Sequence, residues 1–231
     1  MKHIKTIFFA VILILASCTK GLMGDEGKLE EDIYLNYQTV TDLELPFEEE
    51  WHIETGGKTH RDGAHHFTTH GVGERYAYDF TIEINGWIRA GDGSKNEDHY
   101  CFGKRLNAPG NGTIIEMVNN IEDNQPGNVN IDQPGGNYII IDHLNGELSI
   151  MAHLKKGSII VAVGDIIGKG QEVGQTGNSG ASSVPHLHYQ LEGTSGLLSG
   201  LGLPAQFLNY YEDNIFIERG EPVRGQKVRK N

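Results

Sequence analysis

From residue 51 onward the chain alternates short apolar runs with glycines and polar turns. Tyr76 to Ile84, Gly112 to Val118, Asn137 to Asp142, Glu147 to His153 and Leu187 to Leu191 each carry β-branched or aromatic residues over strand length. Asn145-Gly146, between the third and fourth of these runs, predicts a tight hairpin. Ser158 to Val163 alternates less clearly, and Asp165 to Ile167 and Glu172-Val173 are shorter pieces. No window longer than about ten residues has helical periodicity before Pro204, and Pro204 to Tyr211 predicts one short helix. The pattern therefore predicts an all-β domain, a mostly antiparallel sheet or sandwich with long loops. Residues 86–111 read as a polar, turn-rich insertion, and Asn119 to Gly136 as a second long loop.

Composition sharpens this picture at three points. Thirty-one glycines against seven prolines in 231 residues fit many turns between short strands. Hydrophobic residues at 38% and charged residues at 22% allow a buried core. A formal net charge of −12 argues against a nucleic-acid partner, because phosphate binding needs a basic face. The one basic cluster, Arg224 to Lys230, reads as a frayed, solvated end.

The first residues read as a targeting segment. Lys2 and Lys5 precede an apolar stretch, Ile7 to Leu15, that is too short to span a bilayer. Leu15-Ala16-Ser17-Cys18 resembles a bacterial lipobox, which implies cleavage before Cys18 and acylation of that cysteine. The expected organisation is a lipoprotein signal peptide (1–17), an acidic tether (18–50), a folded domain (51–220) and a basic tail (221–231). The expected location is the cell envelope, anchored to a bacterial membrane through Cys18. Cys101, the other cysteine, would then lack a disulfide partner.

Candidate chemistry concentrates in the histidines, of which there are 11. His186-Leu187-His188 lies on a predicted strand, where residues two apart share a face. Both imidazoles would face one cavity, with Leu187 behind them. Asp79 is an acid inside an aromatic strand, Arg75-Tyr76-Ala77-Tyr78-Asp79-Phe80, a position disfavoured unless the carboxylate is paired or binds a metal. His153 ends the run Leu148 to Ala152, and His143 and His153 bracket one hairpin.

Together these pieces resemble a known family. Asp79, the run Gly136 to His143, Ala152-His153-Leu154, Gly177-Asn178-Ser179-Gly180 and Pro185-His186-Leu187-His188-Tyr189 are similar, in order and context, to the lysostaphin-type, or LytM-domain, zinc metallopeptidases. The resemblance runs from about Trp51 to Glu192. It implies an all-β fold and hydrolysis of peptide bonds in bacterial peptidoglycan stems or cross-bridges. It also implies Zn2+ held by Asp79, His188 and a further histidine, with His153 and His186 as the catalytic pair. Many members place that further histidine four residues before the aspartate, where this chain has Arg75. His65, His66 and His70 remain candidates, with His65 preferred for its distance from Gly56-Gly57. A catalytically silent relative that binds the wall or activates an amidase is the alternative, and retention of Asp79, His153, His186 and His188 counts against it. Peptidoglycan peptides are the expected partners.

Overall fold

A computed structural model describes residues 36–57, 74, 76–193 and 202–231. These residues contain thirteen strands: β1 (Trp51–Thr55), β2 (Tyr78–Thr81), β3 (Arg105–Asn107), β4 (Gly112–Val118), β5 (Asn137–Asp142), β6 (Glu147–Leu154), β7 (Ile166–Ile167), β8 (Glu172–Gln175), β9 (Leu187–Gly193), β10 (Gly202–Leu203), β11 (Phe207–Glu212), β12 (Ile215–Gly220) and β13 (Lys227–Lys230). Eleven of them form one sheet in the order β12-β11-β13-β1-β2-β9-β6-β5-β4-β7, with β10 attached to β9. Strands β3 and β8 pair separately. Every ladder is antiparallel. The all-β, antiparallel expectation holds, and β4 and β5 fall on the expected residues.

Alternation along β2 and β9 sorts side chains between two faces. Tyr78, Phe80, Leu187, Tyr189 and Leu191 enter the main core. Behind the sheet their rings meet Phe47, Trp51 and Phe207. Phe47 stacks on Trp51 at 4.6 Å, Tyr78 stacks on Phe80 at 5.2 Å, and Phe207 lies 5.5 Å from Tyr189. Aromatic burial of this kind pins the strand pair from behind, at several kcal/mol per ring on truncation. The residues between these anchors, Asp79 and His188, therefore face the other way.

Five expectations change. Pro204 to Tyr211 is no helix: Gly202–Leu203 and Phe207–Glu212 are strands. Phe207 and Tyr210 are buried, and β11 finds ladders on both sides, so pairing overrides the weak helical signal. The basic end is not frayed, since β13 bridges β1 and β11 and buries Val228. Its cations find partners on the surface: Lys230 meets Glu44 and Glu48, Lys227 meets Glu83, and Arg229 lies over the Tyr211 ring at 4.0 Å. The tether expected to end at residue 50 is already folded well before it. Leu43, Leu45 and Phe47 are core residues, and Leu43 bridges Phe207. The expected insertion at 86–111 is packed, with a 3-10 turn at Asn96–Asp98, strand β3 and buried His99, Cys101, Leu106 and Ala108. Ser158 to Val163 forms no strand, although Ile159 and Val161 still reach the core. Residues 1–35, including Cys18, lie outside the described residues.

The N-terminal part of the described chain is clamped by one carboxylate. Glu147, fully buried at the start of β6, accepts bonds from Tyr37 Oη (2.8 Å), Val40 N (2.6 Å), Thr41 N (2.7 Å) and Thr41 Oγ1. Burial, followed by the hydrogen bond to Glu147, pushes the Tyr37 hydroxyl up to about 12.

Two buried histidines outside the site make stability depend on pH. His143 Nδ1 lies 2.7 Å from the Asn111 carbonyl and its Nε2 lies 2.7 Å from Ser149 Oγ. Burial holds His143 and His99 below the ordinary histidine value. The unfolded chain takes up these protons first, so the stability of the neutral forms is full above about pH 6.5 and is lost as pH falls towards the folded values. Melting of metal-free protein between pH 8 and pH 5 is expected to show a falling midpoint, with a flatter slope in His143→Gln. An unchanged slope in that variant excludes His143 as a source.

Candidate active site

Strand register brings the site together. Asp79 pairs with His188 across β2 and β9, and Ala152 pairs with His188 across β6 and β9. His188 Nδ1 lies 3.1 Å from Asp79 Oδ1. His186 Nε2 lies 3.4 Å from the same oxygen. The two histidines therefore share a face, as their i, i+2 spacing predicts, while Leu187 is fully buried in the core.

His153 reaches this face by a different route. Simple alternation after Met151, a core residue, would send His153 into the core too. Instead β5 and β6 shift register between Asn137 and Ile139, so that Ala152 and His153 together oppose Tyr138. His153 has φ 62, a left-handed backbone that β-bulges use to re-aim a side chain. Leu154 then returns to the core. The His153 ring lies 4.8 Å from His186 and 5.6 Å from His188, centroid to centroid.

Two loops clamp the bulge. His153 N donates to the Gly135 carbonyl, and His153 Nδ1 lies 2.9 Å from the Ser179 carbonyl. Ser179 Oγ accepts from Asn137 N and donates to the Leu154 carbonyl. Gly136 has φ 60, and a Cβ there would lie 2.5 Å from Ser179 atoms. A Cβ on Gly180 would lie 2.4 Å from Gly136 N. The two loops touch backbone to backbone, and side chains at either glycine would pry them apart.

Proton placement follows from the acceptors. A carbonyl only accepts, so His153 Nδ1 carries its proton and Nε2 keeps the lone pair. Burial, then the neighbouring His186 and His188, hold His153 well below the ordinary value, so the ring is neutral. His186 Nδ1 lies 2.9 Å from the Val184 carbonyl and likewise carries a proton. For His188, burial lowers the value, but the hydrogen bond and charge of Asp79 outweigh it and the net shift is upward. Cys101 is buried beside the Pro185 carbonyl and burial pushes its thiol up to about 12, so it offers no thiolate at neutral pH.

Asp79, His153, His186 and His188 are thus brought together, and His143 is placed elsewhere in a structural hydrogen-bond chain. His65, His66 and His70 lie outside the described residues. Among the described residues, no three metal-type side chains gather closely enough to hold an ion. Sequence reading missed the loop residues Asn178, Ser179 and Ser182 as individual contributors. Their signal was present as the polar run Gly177 to Ser183 just before the histidine pair.

Comparison with known proteins bears on this geometry. The model of peptidase family M23 matches residues 100–198, which include His153, His186 and His188 but not Asp79. A peptidoglycan DD-endopeptidase, ShyA, of Vibrio cholerae is 43% identical over 56 residues, which are 24% of this chain and 13% of that protein. An uncharacterized metalloprotease of Buchnera aphidicola is likewise 43% identical over 56 residues, 24% of this chain and 14% of that protein. The chain therefore matches only a small part of the length of these relatives. Among solved structures, a zinc-containing peptidase from Vibrio cholerae is 20% identical with a TM-score of 0.41, over 65% of this chain and 36% of that one. The catalytic domain of lysostaphin from Staphylococcus simulans is 21% identical with a TM-score of 0.40, over 67% of this chain and 86% of that one. The match to the peptidase family M23 model thus spans the hairpin that carries His153 and the strand entry that carries His186 and His188.

Proposed function

We propose that the domain is a zinc metalloendopeptidase that hydrolyses peptide bonds in the stems or cross-bridges of bacterial peptidoglycan. The observation that carries this reading is the convergence of His186 and His188 on Asp79 Oδ1 with neutral His153 beside them. The His188 nitrogen and the Asp79 oxygen belong to the donor set that zinc accepts, and these two with one further histidine leave a position for water. Asp79 and His188 would hold the ion, with His65 as the third ligand and His66 or His70 as the alternatives. Bound there, zinc supplies a Lewis acid that acidifies water and polarises a carbonyl.

The chain's own residues do the rest. His153 Nε2 holds a lone pair in a buried setting and accepts the proton of an attacking water. His186, its Nδ1 proton held by the Val184 carbonyl, exchanges protons through Nε2 beside Asp79. The Ser179 and Val184 carbonyls keep both Nδ1 protons in place, so neither ring needs to reorganise during reaction. Peptidoglycan as substrate draws support from the named activity of the Vibrio relative. Anchoring to a bacterial membrane through acylated Cys18 draws support from the Leu15 to Cys18 pattern.

Elemental analysis of the purified protein tests the metal: one zinc per chain is expected, and none in His188→Ala. Sacculi incubated with the wild type are expected to release muropeptides, and release that persists in excess chelator sinks the metallopeptidase reading. Radiolabelled palmitate incorporated by the wild type and not by Cys18→Ala tests the anchor.

A further inference from the structure

The loop before the histidine pair contains a hydrogen-bond chain that runs from Asn178 through Ser182 to His186. His186 Nδ1 donates towards the Val184 carbonyl and also lies 3.1 Å from Ser182 Oγ. Ser182 Oγ lies 2.7 Å from Asn178 Oδ1 and 2.9 Å from the Val184 carbonyl, two acceptors for its proton, which leaves its lone pairs to the imidazole. Asn178 is fully buried and its amide has one orientation. Its Nδ2 donates to Asn96 Oδ1 (3.0 Å) and to the Asn124 carbonyl (3.2 Å), which leaves Oδ1 for Ser182. Its backbone N–H donates to Asp123 Oδ1 (2.7 Å). Asn124 closes the clasp, with Nδ2 bonded to the Gly180 and Ser182 carbonyls. Three loops, 86–111, 119–136 and 177–185, thus meet at one carboxamide that ends on His186.

We propose that Ser182, held by Asn178, is a positioning residue that fixes the ring plane of His186. This rests on the reading that His186 works beside the reacting atoms. Ser182 does not reach substrate. It acts by narrowing the orientations that the Val184 carbonyl and the Asp79 carboxylate leave to the ring, and polar partners of this kind commonly change activity about 10-fold or more on removal.

The test uses zinc-loaded full chain with dye-labelled, solubilised peptidoglycan as substrate. Ser182→Ala is expected to lower kcat about 10-fold while KM and zinc content stay within about twofold. Ring 1H–15N spectra are expected to show one sharp His186 Nδ1–H signal in the wild type and a shifted, broadened one in Ser182→Ala. Wild-type kcat with an unchanged His186 signal overturns the proposal, as does a rise in KM at constant kcat or a loss of zinc. Asn178→Ser, which withdraws the acceptor without touching Ser182, is expected to change kcat in the same direction, and it carries the test if Ser182→Ala fails to fold. His186→Ala separates the two levels. If that variant turns over like the wild type, the role of His186 fails. If it is inactive while Ser182→Ala is normal, only the positioning fails.

Discussion

Replacing His153 by alanine lowers peptide-bond hydrolysis by about 10²- to 10⁴-fold, the range that a positioned general base contributes. Zinc content stays at the wild-type level, because His153 is not one of the proposed ligands. Replacing it by glycine removes the same imidazole and gives the same loss of activity, but a different stability. At φ 62 an alanine keeps the steric cost of the left-handed backbone and a glycine does not. His153→Gly is therefore expected to be more stable than His153→Ala by about 1 kcal/mol, against the usual order for a strand. Chemical denaturation of the pair measures the difference. If alanine is the more stable of the two, the bulge is not strained as described. If either variant retains turnover within tenfold of the wild type, His153 is not the base.

The second large effect concerns stability and lies on the opposite face from the site. Glu147→Ala removes the acceptor for four donors at once: Tyr37 Oη, Val40 N, Thr41 N and Thr41 Oγ1. Leaving buried donors unpartnered costs about 1–3 kcal/mol each, and the sum is not additive because residues 36–41 can detach and reach water. A loss of about 3–5 kcal/mol is expected, with a fall in melting temperature on the order of 10 °C for a domain of this size. The single-bond variant Tyr37→Phe is expected to cost about 1 kcal/mol. A melting temperature of Glu147→Ala within about 2 °C of the wild type removes the clamp from the account. The same contacts place the start of the folded domain before Thr39, so a shortened chain starting at Trp51 is expected to lose stability in the same way. It would also give up Leu43, Leu45 and Phe47 from the core.

Much of the site is written in local pattern. The period of two along a strand puts His186 and His188 on one face and Leu187 on the other, whatever the rest of the fold does. Asp79, an acid between Tyr78 and Phe80, is legible for the same reason: its aromatic neighbours claim the core and leave it the other face. Asn145-Gly146 announced the hairpin of β5 and β6, and the structure has it, with Leu144 and Gly146 in left-handed conformations. The errors fell where local signal is weak and pairing decides. Lys227 to Lys230 reads as a solvated basic tail until β1 and β11 offer ladders on both sides of Val228. Phe207 to Glu212 reads as helix or strand until its partners are known.

The sequence by itself determined which residue types line the site and which face the histidine pair takes, because strand alternation depends only on neighbours in the chain. Tertiary structure alone decided that Asp79 stands opposite His188, because register is a property of two strands and not of either one. It alone decided that His153 joins them. Period two sends that ring into the core, and a bulge held by the Gly135 and Ser179 carbonyls, 18 and 26 residues away in sequence, turns it to the site.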